Sequence, residues 1–238
     1  MFTTILIQPI YNVFIYLVGV MPGGDVGLAI IAVTISIRAL FYPAFASSIR
    51  TQMGMQAIQG EVDEINKTYK DNAEERAKRT MALFKENKVK PFSGFLALLV
   101  QIPVFIALYY AFFHEGLPKV ATNMLYSFVH VPDVINTTFL GLVNLLSSHN
   151  IFLALLVGGL QYSIVYFSLA RTKAATKVPR APEKEIAQKM QQQMMLYFLP
   201  ALMVVMTYSF PAAVGLYFAT TNLISLGQEF LIRKQMQK

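Results

Sequence analysis

Cysteine is missing from all 238 residues. That removes disulfides, thiolate zinc sites, iron–sulfur clusters and cysteine nucleophiles from consideration. Other absences narrow the function further. There is no P-loop, no HExxH, no GxSxG and no glycine-rich dinucleotide turn. The three histidines, His114, His130 and His149, lack metal-ligand spacing. No metal, no cofactor and no enzymatic activity are therefore expected. No internal repeat is visible, unlike the transporters built on inverted repeats. Met1–Val20 has neither a basic lead-in nor a small-residue cleavage motif, so a cleavable signal peptide is not expected. Charge is scarce too: 14% of residues are charged, against about a quarter in soluble domains.

What the chain has instead is oil. Hydrophobic residues make up 55% of it, and they come in blocks at 26–46, 92–113, 151–170, 191–209 and 211–231. A helix needs about 20 apolar residues to cross the hydrocarbon. The blocks do not alternate apolar and polar residues as β-barrel strands do. The expected fold is an all-α integral membrane protein, a five-span helical bundle.

Basic residues set its orientation. Nine Lys or Arg lie in 47–91, only Lys119 lies in 114–150, six lie in 171–190, and Arg233, Lys234 and Lys238 lie in the tail. None precedes Arg38. Basic loops stay cytoplasmic. Residues 47–91, 171–190 and 232–238 are thus expected inside and 114–150 outside, with the N-terminus outside at the plasma or inner membrane. Orientation and anionic lipid account for the net charge of +7 without sequence-specific nucleic acid.

Residues 1–25 allow two readings, a sixth span or an interfacial amphipathic helix. Pro9 suits the first turn of a helix, and Thr4, Gln8 and Asn12 form an i, i+4 stripe. From Pro9 to Val20 a helix is only about 18 Å long. The interfacial reading is preferred.

Residues 47–91 read as a cytoplasmic helical hairpin. Ile58, Val62 and Ile65 share one helix face, and Met81 and Phe84 lie on a second. Asn72 with Glu75 resembles a capping box, and Glu75/Arg79 is a favourable i, i+4 pair. The hairpin is either a solvated connector or a receiving platform. Residues 171–190, with Pro179 and Pro182, read as a flexible cytoplasmic loop. The block at 191–209 is rich in methionine, which serves membrane packing or an adaptable binding face.

One residue is out of place. Arg38 sits in the first block, about nine residues or 13 Å from its cytoplasmic end. No Asp or Glu lies inside any block; Asp25 and Glu229 stand at ends. An arginine at the membrane centre costs about 3 kcal/mol on insertion scales. With no counter-ion, water is the expected partner, in a cavity reached from the cytoplasm. Thr34, one turn from Arg38, Gln101, Gln161, Thr221 and Asn222 are candidates to line it. Taken singly, each could also be helix–helix glue.

Four stretches resemble one family, the YidC/Oxa/Alb membrane protein insertases. AIIAVTISIRALFYP (Ala29–Pro43) looks like its first core span, and MQAIQGEVDEINKTYKDN (Met55–Asn72) its cytoplasmic hairpin. ALFKENKVKPFSGFLALLVQIPVFIALYYAFF (Ala82–Phe113) is similar to the second span. MMLYFLPALMVVMTYSFPAAVGLYFATTNLISLGQEFL (Met194–Leu231) is similar to the last two. The resemblance implies five core spans around a hydrophilic groove, open to cytoplasm and lipid and closed outside. It places Arg38, Thr34 and Gln101 in that groove, and Tyr217 and Phe218 as the aromatic pair of the last span. It implies nascent membrane proteins as substrates, membrane lipids as surroundings, and the Sec translocon and ribosome as candidate partners. The family's large periplasmic domain is absent, and only eight residues follow Phe230, where some members carry a long basic tail. The competing expectation from the residues alone is a small anion channel or solute carrier with Arg38 as the ion site. A third is an assembly factor without insertion activity of its own.

Overall fold

Proline and glycine decide where the helices of this chain start and bend. The computed structural model describes residues 3–90, 93–114, 116–175, 190 and 192–236. The loop expected at 171–190, with Pro179 and Pro182, falls largely outside them. The described chain is mostly helical.

Helix α1 (Gln8–Val20) has Pro9 in its first turn, where a missing N–H is harmless. Its buried Tyr11, Phe14, Ile15 and Val18 fall at i, i+3, i+4 and i+7, one helical stripe. Of the polar stripe, Thr4 is exposed, whereas Gln8 and Asn12 turn toward residues 124–126. Asn12 donates to Met124 O at 2.8 Å and accepts from Tyr126 N at 2.7 Å, and Gln8 donates to the same carbonyl at 3.0 Å. These side chains supply backbone partners to a segment that has almost no ladder of its own.

Helix α2 (Val26–Leu40) is capped by Asp25, whose Oδ1 accepts from Gly27 N at 2.8 Å and Leu28 N at 3.1 Å. Its Oδ2 accepts from Leu140 N at 2.8 Å. The same carboxylate thus starts a helix and ties down residues 136–145. Gly24, at φ +63, lies so close to the Val134 carbonyl that a Cβ would collide with it.

The block expected as one span at 26–46 is broken within. Helix α2 ends at Leu40, and α3 (Tyr42–Ala57) leaves it at 72°. Pro43 lacks the N–H that would continue the helix, and its ring clashes with the carbonyl four residues back.

Helices α4 (Gln59–Thr68) and α5 (Ala73–Glu86) form the expected hairpin. Asn72 accepts from Glu75 N at 3.0 Å, and Arg79 pairs with Glu75 at 2.8 Å. That hydrogen bond holds the guanidinium above its ordinary pKa. Ile58, Leu83 and Val89 are buried together, with Val62, Ile65 and Phe84 packed against them. Met81 is 55% exposed and lies outside this core. It stands two residues from Leu83, about 200° around the helix.

Helix α6 (Ser93–Tyr109) contains Pro103 and continues as a wide turn to His114. Residues 116–150 form loops and a two-residue hairpin, Thr138–Phe139 against Val143–Asn144. Helices α7 (Ile151–Ala175), α8 (Leu199–Ser209) and α9 (Ala212–Met236) follow. A wide turn at Met194–Phe198 leads into α8, and Phe210-Pro211 separates α8 from α9.

Helix α7 packs on α8 and α9, α9 on α2 and α3, and α3 on α6, while α1 packs on α2 and α6. Each of the five expected blocks overlaps one of these helices or a bent pair. On length and composition, Ile151–Leu169 can cross a bilayer as a straight helix and α2–α3 as a bent pair. Its 19 residues give about 28 Å of rise, close to the hydrocarbon thickness. The apolar helices at Gln8–Val20, Gln101–Phe112 and Met194–Ser209 are shorter. The main core, with Tyr11, Phe14, Ile30, Leu108, Phe112 and Tyr217, sits where α1, α2, α6 and α9 meet residues 116–145.

Candidate functional site

Ending α2 at Leu40 changes where Arg38 stands. It lies in the last helical turn, not mid-helix, where the negative end of the helix dipole favours a cation. Its side chain is 9% exposed. Nη1 donates to Gln228 Oε1, 3.2 Å away on α9. The Phe45 ring of α3 lies 4.1 Å from Cζ, within cation–π range. Among the described residues no carboxylate pairs with Arg38. A neutral amide and an aromatic face are its partners.

Around the guanidinium, three helices contribute polar groups to one small cavity, lined by Thr34, Arg38, Gln101, Tyr217, Thr221, Ile37, Phe45 and Val104. Its volume is about 10 Å³, near the lower limit for a single water. Gln101 Nε2 donates to the Tyr217 hydroxyl, linking α6 to α9. Thr34 donates to Ile30 O at 2.6 Å, which occupies its hydrogen within its own helix. The Thr221 hydroxyl is buried with no hydrogen-bond partner among the described residues.

The structure therefore brings together Thr34, Arg38, Gln101, Tyr217 and Thr221. Gln161, half-buried on α7, is not among the cavity-lining residues. Asn222 is buried on α9 and also lies off the lining. Phe218 tilts against Tyr217 at 5.5 Å and against Phe105 at 6.4 Å, bracing the site from outside the cavity. Sequence reasoning missed Phe45 and Gln228. Gln228 lies seven residues beyond Thr221, on the same face of α9. That spacing was the available signal.

Chemically, the cluster is a fixed positive charge among neutral donors and acceptors. It can stabilise an anionic or polar group brought to it at low dielectric. Beside it, α1, α2 and α6 enclose an apolar cleft of about 610 Å³, between Ile10, Val13, Ile37, Leu40, Ile102 and Pro103. Polar cavity and greasy cleft thus share the walls of α2 and α6.

A helical membrane protein with a buried cation set between apolar helices, and no carboxylate beside it among the described residues, is the class these features define. Residues 17–238 match the model of the 60Kd inner membrane protein family, and the chain belongs to that family. It is 32% identical over 238 residues to the membrane protein insertase YidC of Oceanobacillus iheyensis, covering 98% of this chain and 84% of the relative. It is 31% identical over 214 residues to the membrane protein insertase YidC of Francisella tularensis subsp. novicida, covering 90% of this chain. The chain spans about a third, 33%, of that longer relative.

Proposed function

We propose that this protein is a membrane protein insertase. It moves short hydrophilic segments of nascent membrane proteins past Arg38 and releases the adjoining apolar segment sideways into lipid. Five core spans would cross the inner membrane, with residues 116–150 outside and the α4–α5 hairpin and C-terminus in the cytoplasm. The observation that carries this reading is the acid-free polar cluster at Arg38, buried where α2, α3, α6 and α9 converge in a chain of this family.

Physically, a polar tail entering hydrocarbon loses its hydration, which costs several kcal/mol per unpaired group. Arg38, Gln101, Tyr217 and Thr221 offer partners in place of bulk water. The cavity at rest is too small for a peptide, so a passenger must part α6 from α9 and admit water as it enters. The Gln101–Tyr217 bond is the contact that separation breaks. The core beneath residues 116–145 stays shut and blocks a leak. Partition of the apolar segment into lipid, at about 25 cal/mol per Å², drives the reaction. Exposed apolar side chains such as Leu155 on α7 and Leu223 on α9 offer that segment apolar contacts.

Site-specific crosslinking tests the route. The natural chain lacks cysteine, so Thr221→Cys and Leu155→Cys each carry a unique thiol. With a stalled nascent chain in proteoliposomes, a cysteine in the hydrophilic tail is expected to crosslink at position 221 and one in the apolar segment at 155. Tail crosslinks at 155 with none at 221 would overturn the route. An anion channel would instead give electrogenic flux that responds to Arg38→Glu.

A further inference from the structure

The base of the cytoplasmic hairpin carries a second cleft, unconnected with Arg38. Its floor is Met81, Ala82, Phe84 and Val89, and its rim is four lysines, Lys78, Lys85, Lys88 and Lys90. Its volume is about 860 Å³, the size of a small-molecule site. Among the described residues no acidic side chain lines it. Lys90 stands three residues before α6 begins at Ser93, a reach of about 10 Å. The cleft therefore lies close to the start of the apolar helix α6, far from the hairpin tip at 69–72.

The backbone adds an independent signal. Helix α5 ends in a Schellman turn, in which Val89 N donates to Phe84 O at 2.8 Å and Lys88 N to Lys85 O at 3.2 Å. The left-handed residue of that turn is Lys88, at φ 55. Glycine or asparagine fills such a position at lower cost. A side chain kept there against the backbone preference points to a use for the side chain. Gly54 of α3 fixes the arrangement, since a Cβ there would lie 2.8 Å from Val89 Cγ2.

We infer that this cleft binds the headgroup of an anionic phospholipid of the cytoplasmic leaflet, with the phosphate among the four lysines and the glycerol and upper acyl chains over Met81 and Phe84. The site would hold the hairpin base against the bilayer. This rests on α6 entering the membrane and not on the insertase reading.

The test uses the full-length chain in detergent, with Ala82→Cys carrying an environment-sensitive fluorophore. Dioctanoyl phosphatidylglycerol should give a saturable blue shift, and dioctanoyl phosphatidylcholine and inorganic phosphate should bind at least tenfold more weakly. Each lysine near an anionic surface contributes about fivefold in affinity. Lys88→Gly should therefore weaken binding about fivefold while leaving hydrogen-exchange protection of α5 equal or higher, since glycine relieves the turn. Lys85→Glu with Lys88→Glu should weaken it more than 25-fold. Equal response to the two lipids would overturn the site. So would binding by Lys88→Gly at the natural affinity, or a response to an acidic peptide with none to phosphatidylglycerol.

Discussion

The Arg38 guanidinium donates to the Gln228 amide oxygen at 3.2 Å, joining the end of α2 to α9. Gln228 is thus the hydrogen-bond acceptor for a cation without a carboxylate. Gln228→Ala is expected to destabilise the protein by about 1–3 kcal/mol, by leaving a buried donor unpaired. Gln228→Glu is expected to bind Arg38 more tightly through a charge-assisted bond. It should raise thermal stability in detergent while slowing insertion of substrates with acidic tails. Faster insertion of such substrates by Gln228→Glu would show that the positive charge is not what they meet.

The Gln101–Tyr217 bond gives a second test. Tyr217→Phe leaves the Gln101 amide short of a partner and should cost about 1–2 kcal/mol. Adding Gln101→Leu removes the orphaned group, so the double variant should recover much of that loss in a thermal melt. Additive losses would mean the two side chains do not share a bond.

At the opposite end of α2, Asp25 accepts three backbone N–H bonds, from Gly27, Leu28 and Leu140. Loss of a helix cap costs about 1–2 kcal/mol, and orphaning Leu140 N adds to it. Asp25→Ala is expected to lower the melting temperature and to raise hydrogen exchange at residues 136–145. Asp25→Asn should retain most of the protection. Unchanged exchange in Asp25→Ala would show that the cap does not hold the loop.

In the hairpin, Leu83 is buried and Met81 is exposed two residues away. Leu83→Ala should open the α4–α5 pair, at a cost of about 2–5 kcal/mol, seen as faster exchange across both helices. Met81→Ala should leave exchange unchanged. Similar effects from both would mean the hairpin has no defined core.

Much of this was legible in the residues because local chemistry fixed it. Pro9 marks the start of α1, Asn72 caps α5, and Ile58, Val62 and Ile65 keep one face at helical spacing. Arg38 stands out by charge alone. What escaped depends on where helices stop and whom they meet. The Phe-Tyr-Pro sequence at 41–43 carried the break before α3, but an unbroken apolar run masked it. That run placed Arg38 mid-helix, whereas the structure puts it in the last turn of α2. Phe45 lies beyond the bend, and Gln228, although it shares a face of α9 with Thr221, is 190 positions from Arg38 in sequence, so only the folded chain brings them to it. The stripe of Gln8 and Asn12 reads as a wet face until the loop at 121–126 covers it.

The most direct measurement compares Arg38→Ala and Arg38→Lys in purified proteoliposomes, using one single-span substrate with an acidic or a neutral tail. Arg38→Ala should slow the acidic form at least tenfold and the neutral form far less, with Arg38→Lys restoring part of the acidic rate. Equal insertion of both tails by Arg38→Ala, at the rate of the unaltered protein, would contradict a role for this buried charge.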